Sequence, residues 1–189
     1  MLSILTQTLL DAPIIPRGDY YYFIHPITDG VPELVPALLT EIADHIIELT
    51  GAGTDKIDKI VTIEAMGLPI GTALSITTGI PLVIIRKRKY ELPGEIAVHQ
   101  VTGYSKGELY LNGIQKGDRV MVVDDVISTG GTMKAVIQAL KLACAEICDV
   151  VAIIERGEGA HELRAAGVAI KTLVSVDVGA SGVAIKSVT

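Results

Sequence analysis

Arg119-Val120-Met121-Val122-Val123-Asp124-Asp125-Val126-Ile127-Ser128-Thr129-Gly130-Gly131-Thr132 decides the fold. The apolar run at 120–123 has the pattern of a strand buried on both faces, as parallel strands are. It leads into two carboxylates and then a short loop of hydroxyls and glycines that opens a helix. That second half has the make-up of an anion cradle. Gly130 and Gly131 let the backbone amides of 128–132 turn inward, and the hydroxyls of Ser128, Thr129 and Thr132 add donors. The helix N-terminus supplies favourable potential. Asp124 and Asp125 would repel an anion beside them, but they suit another part of the same ligand, such as sugar hydroxyls, from which carboxylates accept. Taken singly, Asp-Asp reads as a solvated turn and Gly-Gly-Thr as a Thr-capped helix start. Together, at the carboxyl end of a central strand, they point to a ligand site. No Walker lysine is present, which disfavours nucleoside-triphosphate hydrolysis.

Working outward, a helix is expected from Gly131, with Met133, Val136, Ile137, Leu140 and Cys144 on one face. Strands follow at 150–154 and 172–176, with a short helix at 160–166 between them. Upstream, Leu34, Leu38, Ile42, Ile46 and Leu49 give a helix over 33–49. A strand at 60–63, a small-residue helix at 67–78 and a strand at 81–85 come next. Residues 87–107 are charged and Gly-rich, and read as a long loop, although 95–99 alternates like a strand. Short strands at 108–111 and 119–123 bracket a turn at Asn112-Gly113. Strands alternating with helices at this spacing predict an α/β fold: a doubly wound, mostly parallel sheet flanked by helices. The chain is expected to form a single domain over 1–189, with a small irregular N-terminal part.

Composition agrees. The chain has 189 residues, 49% hydrophobic and 20% charged, which excludes wholesale disorder. Mean hydropathy is high at +0.48, yet no apolar run is long enough to span a membrane. The net charge of −6 argues against nucleic-acid or anionic-membrane partners. The first residues lack the basic start and cleavage site of a signal peptide, so a cytoplasmic location is expected. Cys144 and Cys148 have no accompanying Cys/His pair, and read as plain buried thiols.

The segment 122–132 resembles the phosphoribosyl-pyrophosphate (PRPP) signature of the type I phosphoribosyltransferases. Glu64-Ala65-Met66-Gly67 follows a strand, where that family places its pyrophosphate loop. Arg86-Lys87-Arg88 with Leu92-Pro93-Gly94 resembles the entry to the flexible loop of adenine phosphoribosyltransferases. The resemblance spans 20–176. It is nearest to the archaeal hypoxanthine/guanine phosphoribosyltransferase branch, through 20–30, 86–90 and 99–110.

The resemblance implies transfer of a phosphoribosyl group from PRPP to hypoxanthine or guanine in purine salvage. The alternatives are an adenine enzyme or a non-catalytic PRPP- or purine-sensing regulator. It assigns Asp124 and Asp125 to the ribose hydroxyls, and Ser128, Thr129, Gly130, Gly131 and Thr132 to the 5′-phosphate. It assigns Ala65, Met66 and Gly67 to pyrophosphate through backbone amides, with an unusual cis peptide there. Arg86 and Lys87 would bind pyrophosphate across a homodimer interface, and Phe23, Ile24 and His25 would cover the purine. Mg²⁺ would be held mainly by PRPP's own oxygens, and 87–107 would close as a lid. The chain departs from the family at both usual partners of purine N7: Gly103 stands before Tyr104 where adenine enzymes carry a glutamate, and Ser128 stands where other 6-oxopurine enzymes carry an aspartate.

Rival readings are weaker. Four consecutive cations at 86–89 form a solvated loop or a localisation signal in the plain reading, but they directly follow a buried strand at the same sheet edge as the phosphate loop. Gly103-Tyr104-Ser105-Lys106-Gly107 fits G-x-S-x-G, but without the strand before and helix after that a nucleophile elbow needs. A regulator would carry a DNA-binding helix-turn-helix, for which residues 1–20 are too short.

Overall fold

Val120 and Val122 face one side of a central sheet, Met121 and Val123 the other, and none of the four has exposed surface. They lie in β7 (Arg119–Ile127) of a computed structural model that describes residues 2–18, 20–101 and 106–189. On one side β7 runs parallel to β3 (Lys59–Ile63), which pairs in turn with β4 (Leu82–Ile85). On the other side it runs parallel to β8 (Glu146–Arg156) and, beyond that, β9 (Ile170–Gly179). β10 (Gly182–Val188) closes the far edge antiparallel to β9, giving the order β10-β9-β8-β7-β3-β4. The doubly wound, mostly parallel sheet expected from the sequence is present.

Helices cover both faces. Against Met121 and Val123 pack α1 (Ser3–Leu10), α3 (Pro36–Thr50) and α4 (Gly67–Thr78), through Leu5, Leu9, Leu38, Ile42, Ile46 and Leu74. Against Val120 and Val122 pack α5 (Gly131–Leu142) and α6 (Gly159–Ala165), through Met133, Val136, Leu140 and Leu163. Each such side chain contributes about 1.5–3 kcal/mol by leaving water. α3 starts at Pro36, whose missing N–H costs nothing in a first turn, and it ends at Gly51 in the left-handed conformation.

Several expectations need correction. The N-terminal part is regular: α1, a hairpin of β1 (Ile14–Arg17) and β2 (Tyr20–Phe23), and the short α2 (Pro26–Asp29). Residues 87–107 are not one long loop, because β5 (Ile96–Val101) pairs antiparallel with β6 (Lys106–Leu111). Val98, Leu109 and Leu111 are buried in the core on the α5 side, so an apolar period does tie the segment down. Residues 102–105, with Gly103 and the centre of G-x-S-x-G, lie outside the described residues. β7 runs past 123 to Ile127 because β8 is long enough to pair with Asp124, Val126 and Ile127. Cys144 is not on the α5 face: the helix closes at Leu142, and Cys144 takes φ 57 beyond it. Both thiols are exposed, not buried.

Candidate active site

The chain leaves β3 for the edge strand β4 and returns to β7 on the opposite side of β3. Loops after β3 and β7 therefore diverge, and a crevice opens between them at the carboxyl ends of the strands. Residues 64–67 and 124–132 meet there.

The loop after β7 turns through Gly130 at φ 73, which is also the N-cap of α5, and no side chain caps that helix. Its first amides are thus presented to a ligand. A cavity of about 240 Å³ is lined by Asp124 and residues 126–133, so Ser128, Thr129, Gly130, Gly131 and Thr132 come together as expected. The sequence reading missed what supports the loop from beneath. Gly159 donates its amide to the Ser128 carbonyl at 2.8 Å, and a Cβ on Gly159 would meet that oxygen at 2.4 Å.

The loop after β3 carries a cis peptide between Glu64 and Ala65, the unusual bond expected there. Gly67 opens α4 against the sheet, where a Cβ would meet Thr62 Oγ1 at 2.2 Å and Asp124 Oδ1 at 3.2 Å. Only glycine lets this loop approach the carboxylates. A second cavity, of about 280 Å³, joins Glu64, Ala65 and Met66 to Lys87, Asp124, Asp125 and Thr132. Arg86 does not line this cavity but is tied to Glu64, which does: its Nε donates to that carboxylate, and its backbone exchanges hydrogen bonds with Tyr110 at 3.1 and 2.7 Å. Glu64 also accepts from the Lys87 amide at 2.7 Å. Burial works against the Glu64 charge, but these donors hold its carboxyl below the ordinary range.

Burial pushes both central carboxyls up, and the Asp125 charge raises Asp124 further. Asp125 is lifted to about 6 by burial, against hydrogen bonds that favour its charged form. Two adjacent carboxylates in a crevice want donors, and sugar hydroxyls are donors.

A third cavity, of about 420 Å³ and largely apolar, lies under the β1–β2 hairpin, lined by Arg17, Tyr20, Tyr22, Phe23, Thr28, Val126, Ser128 and Arg156. Of the residues expected to cover a base, Phe23 is here. Ile24 and His25 are not. His25 has no exposed surface; its Nδ1 accepts from the Ile27 amide at 3.2 Å, which leaves the proton on Nε2, 2.9 Å from Thr8 Oγ1. It caps α2 and ties it to α1, and burial lowers its pKa to about 4. Arg156, missed in the sequence, lies at the end of β8 with its guanidinium 4.0 Å from the Tyr20 ring centroid. Its Nη2 donates to the Tyr21 carbonyl at 2.5 Å. A lone cation after an apolar strand was the only available signal, and it reads equally well as a solvated strand end.

All three cavities share Val126. They radiate from the end of β7 as an anion cradle, a second polar cleft and an apolar pocket.

The phosphoribosyl transferase domain model matches residues 33–187. The chain is 61% identical over 185 residues to the hypoxanthine/guanine phosphoribosyltransferase of Methanocella paludicola, covering 98% of this chain and 95% of that protein. It is 64% identical over 178 residues to the protein of the same name from Methanothrix thermoacetophila, covering 94% and 92%. In fold it is similar to adenine phosphoribosyltransferase from Thermoanaerobacter pseudethanolicus, with a TM-score of 0.74 and 21% identity over 93% of this chain and 99% of that one. The corresponding enzyme of Rhodothermus marinus gives 0.72 at 26% identity, over 92% and 97%. With this domain match and these archaeal relatives, the chain belongs to the phosphoribosyltransferase family.

Proposed function

We propose that the protein transfers the 5-phosphoribosyl group of PRPP to hypoxanthine or guanine, giving IMP or GMP and pyrophosphate, in purine salvage. The observation that carries this is the meeting of three cavities at Val126 beside Asp124 and Asp125. They suit a 5′-phosphate, a pyrophosphate and a flat heterocycle arranged around one ribose. The names of the archaeal relatives support the choice of base.

Residues 128–132 hold the 5′-phosphate, Asp124 and Asp125 accept from the ribose hydroxyls, and 65–67 with Arg86 and Lys87 receive the pyrophosphate. Fixing the base and C1′ in this way turns an encounter of two molecules into a reaction within one site. Bond breaking at C1′ develops charge on the leaving pyrophosphate, which the cations at 86–87 and the loop amides are placed to stabilise. Mg²⁺ would neutralise part of the same charge. It would be held mainly by PRPP's own oxygens, in keeping with its preference for oxygen ligands.

Arg156 supports a 6-oxopurine over adenine. A guanidinium only donates, so it favours the carbonyl of hypoxanthine or guanine over an amino group. Steady-state rates with hypoxanthine, guanine and adenine test this reading. Arg156→Met is expected to lower kcat/KM for the two oxopurines by about 100-fold and to narrow the gap to adenine. Adenine as the preferred base of the unaltered protein would refute the assignment.

A homodimer in the cytoplasm completes the proposal. Tyr90 and Leu92 are exposed apolar residues just beyond Lys87, which suits a subunit contact beside the pyrophosphate cleft. Light scattering that finds only an active monomer would overturn the dimer.

A further inference from the structure

When N9 of a purine bonds to C1′, the proton on its five-membered ring becomes strongly acidic and must leave. Resting on the base-pocket assignment above, we propose that Tyr22, its hydroxyl held by Asp29, takes that proton and relays it to the Asp29 carboxylate.

Tyr22 lines the apolar pocket, and its hydroxyl donates to Asp29 Oδ1 at 2.9 Å. Asp29 is fixed in turn: its Oδ2 accepts from the His25 amide at 3.0 Å and from the Thr28 hydroxyl at 2.6 Å. The pair sits at the correct end of the pocket. Tyr22 shares the pocket lining with Val126, the residue after Asp125, and α2 packs against β7; burial, then Asp29 and Asp125, raise its pKa to about 12. The end of α2 also abuts the pyrophosphate loop, where a Cβ on Gly30 would lie 3.6 Å from Met66 Cε. The bond to C1′ forms between those two landmarks, so the imidazole edge of the base must face them. Arg17 and Arg156, also in the pocket, can only donate, and the aliphatic hydroxyls of Thr28 and Ser128 are far weaker acids than a phenol. Of the two phenols that line the pocket, Tyr20 and Tyr22, it is Tyr22 whose hydroxyl donates to the fixed Asp29 carboxylate.

The step balances. The N9 lone pair forms the bond to C1′, and the C1′–O bond breaks with its electron pair leaving on pyrophosphate. The ring proton passes from N7 to Tyr22 Oη as the phenolic proton passes to Asp29 Oδ1. Tyr22 stays neutral throughout, in keeping with its raised pKa, and Asp29 ends protonated. In the reverse reaction the protons retrace this path.

The test compares guanine with 8-azaguanine, whose five-membered ring is far more acidic and needs no base. For Tyr22→Phe and Asp29→Asn, kcat with guanine is expected to fall about 100-fold, and with 8-azaguanine less than about 10-fold. Equal losses on both bases, or no loss on guanine, would overturn the relay. Calorimetry with GMP separates this from the pocket assignment. Val126→Arg should abolish binding while Tyr22→Phe keeps it; binding that survives Val126→Arg would show that the pocket itself was misassigned.

Discussion

Gly159 lies directly beneath Ser128, with its amide 2.8 Å from the Ser128 carbonyl and no room for a Cβ between them. An added methyl would also stand 2.5 Å from the Gly130 nitrogen, so the clash is with backbone on two sides of the phosphate loop. Gly159→Ala is expected to lower kcat/KM for PRPP by at least about 100-fold and to cost about 1–3 kcal/mol of stability, the range for overpacking. Gly179→Ala, where nothing stands within 4 Å, serves as the silent control in the same melting and rate measurements.

The carboxyl pair predicts opposite changes in stability and activity. Burial raises Asp124 and Asp125 above their ordinary values, and the Asp125 charge raises Asp124 further, so ionising them disfavours the free fold. In the range between about 4 and 6 the folded state holds more protons than the unfolded chain, and stability falls as pH rises. Asp124→Asn with Asp125→Asn should therefore be inactive with PRPP yet about 1–3 kcal/mol more stable at pH 7. Urea unfolding should show that gain vanish below about pH 4, where both carboxyls are protonated. Unchanged turnover would remove the pair from the ribose site.

His25 predicts a slope of the other sign. Burial holds it neutral in the fold, with a pKa of about 4, whereas the unfolded chain protonates near 6.5. Its contribution is fully present above about pH 6.5 and is lost as pH falls toward 4, by as much as about 3 kcal/mol. His25→Asn should lower stability at pH 7 and flatten the decline between pH 6.5 and 4, as denaturant titrations at several pH values will measure.

Glu64 anchors Arg86 by its guanidinium and Lys87 by its backbone amide, beside the second polar cleft. Glu64→Gln keeps the shape but loses the charge-assisted contact to Arg86. The expected result is about a 10-fold rise in KM for PRPP, with KM for the purine and the melting temperature little changed. A loss confined to the purine would place Arg86 elsewhere.

What the sequence by itself determined lies along short stretches. The unbroken apolar run at 120–123 implied a strand covered on both faces, and the Asp-Asp and Gly-Gly pairs around it implied an anion site at its carboxyl end, because each signal involves residues within one turn or strand. The period of α3 was legible for the same reason. Only the tertiary structure decided the rest. Gly159 is 31 residues from Ser128, and nothing local to either marks their contact. Tyr22, Thr28 and Arg156 come together in the apolar pocket because α2 and the β1–β2 hairpin fold over the end of β8. His25, read as a cover for the purine, turned instead toward Thr8, whose half-buried hydroxyl satisfies its ring. β5 and β10 pair antiparallel at or beyond the edges of the parallel sheet, and strand pairing depends on a partner that local sequence does not name. Elements are set by periodicity along the chain, whereas this site is set by distances across it.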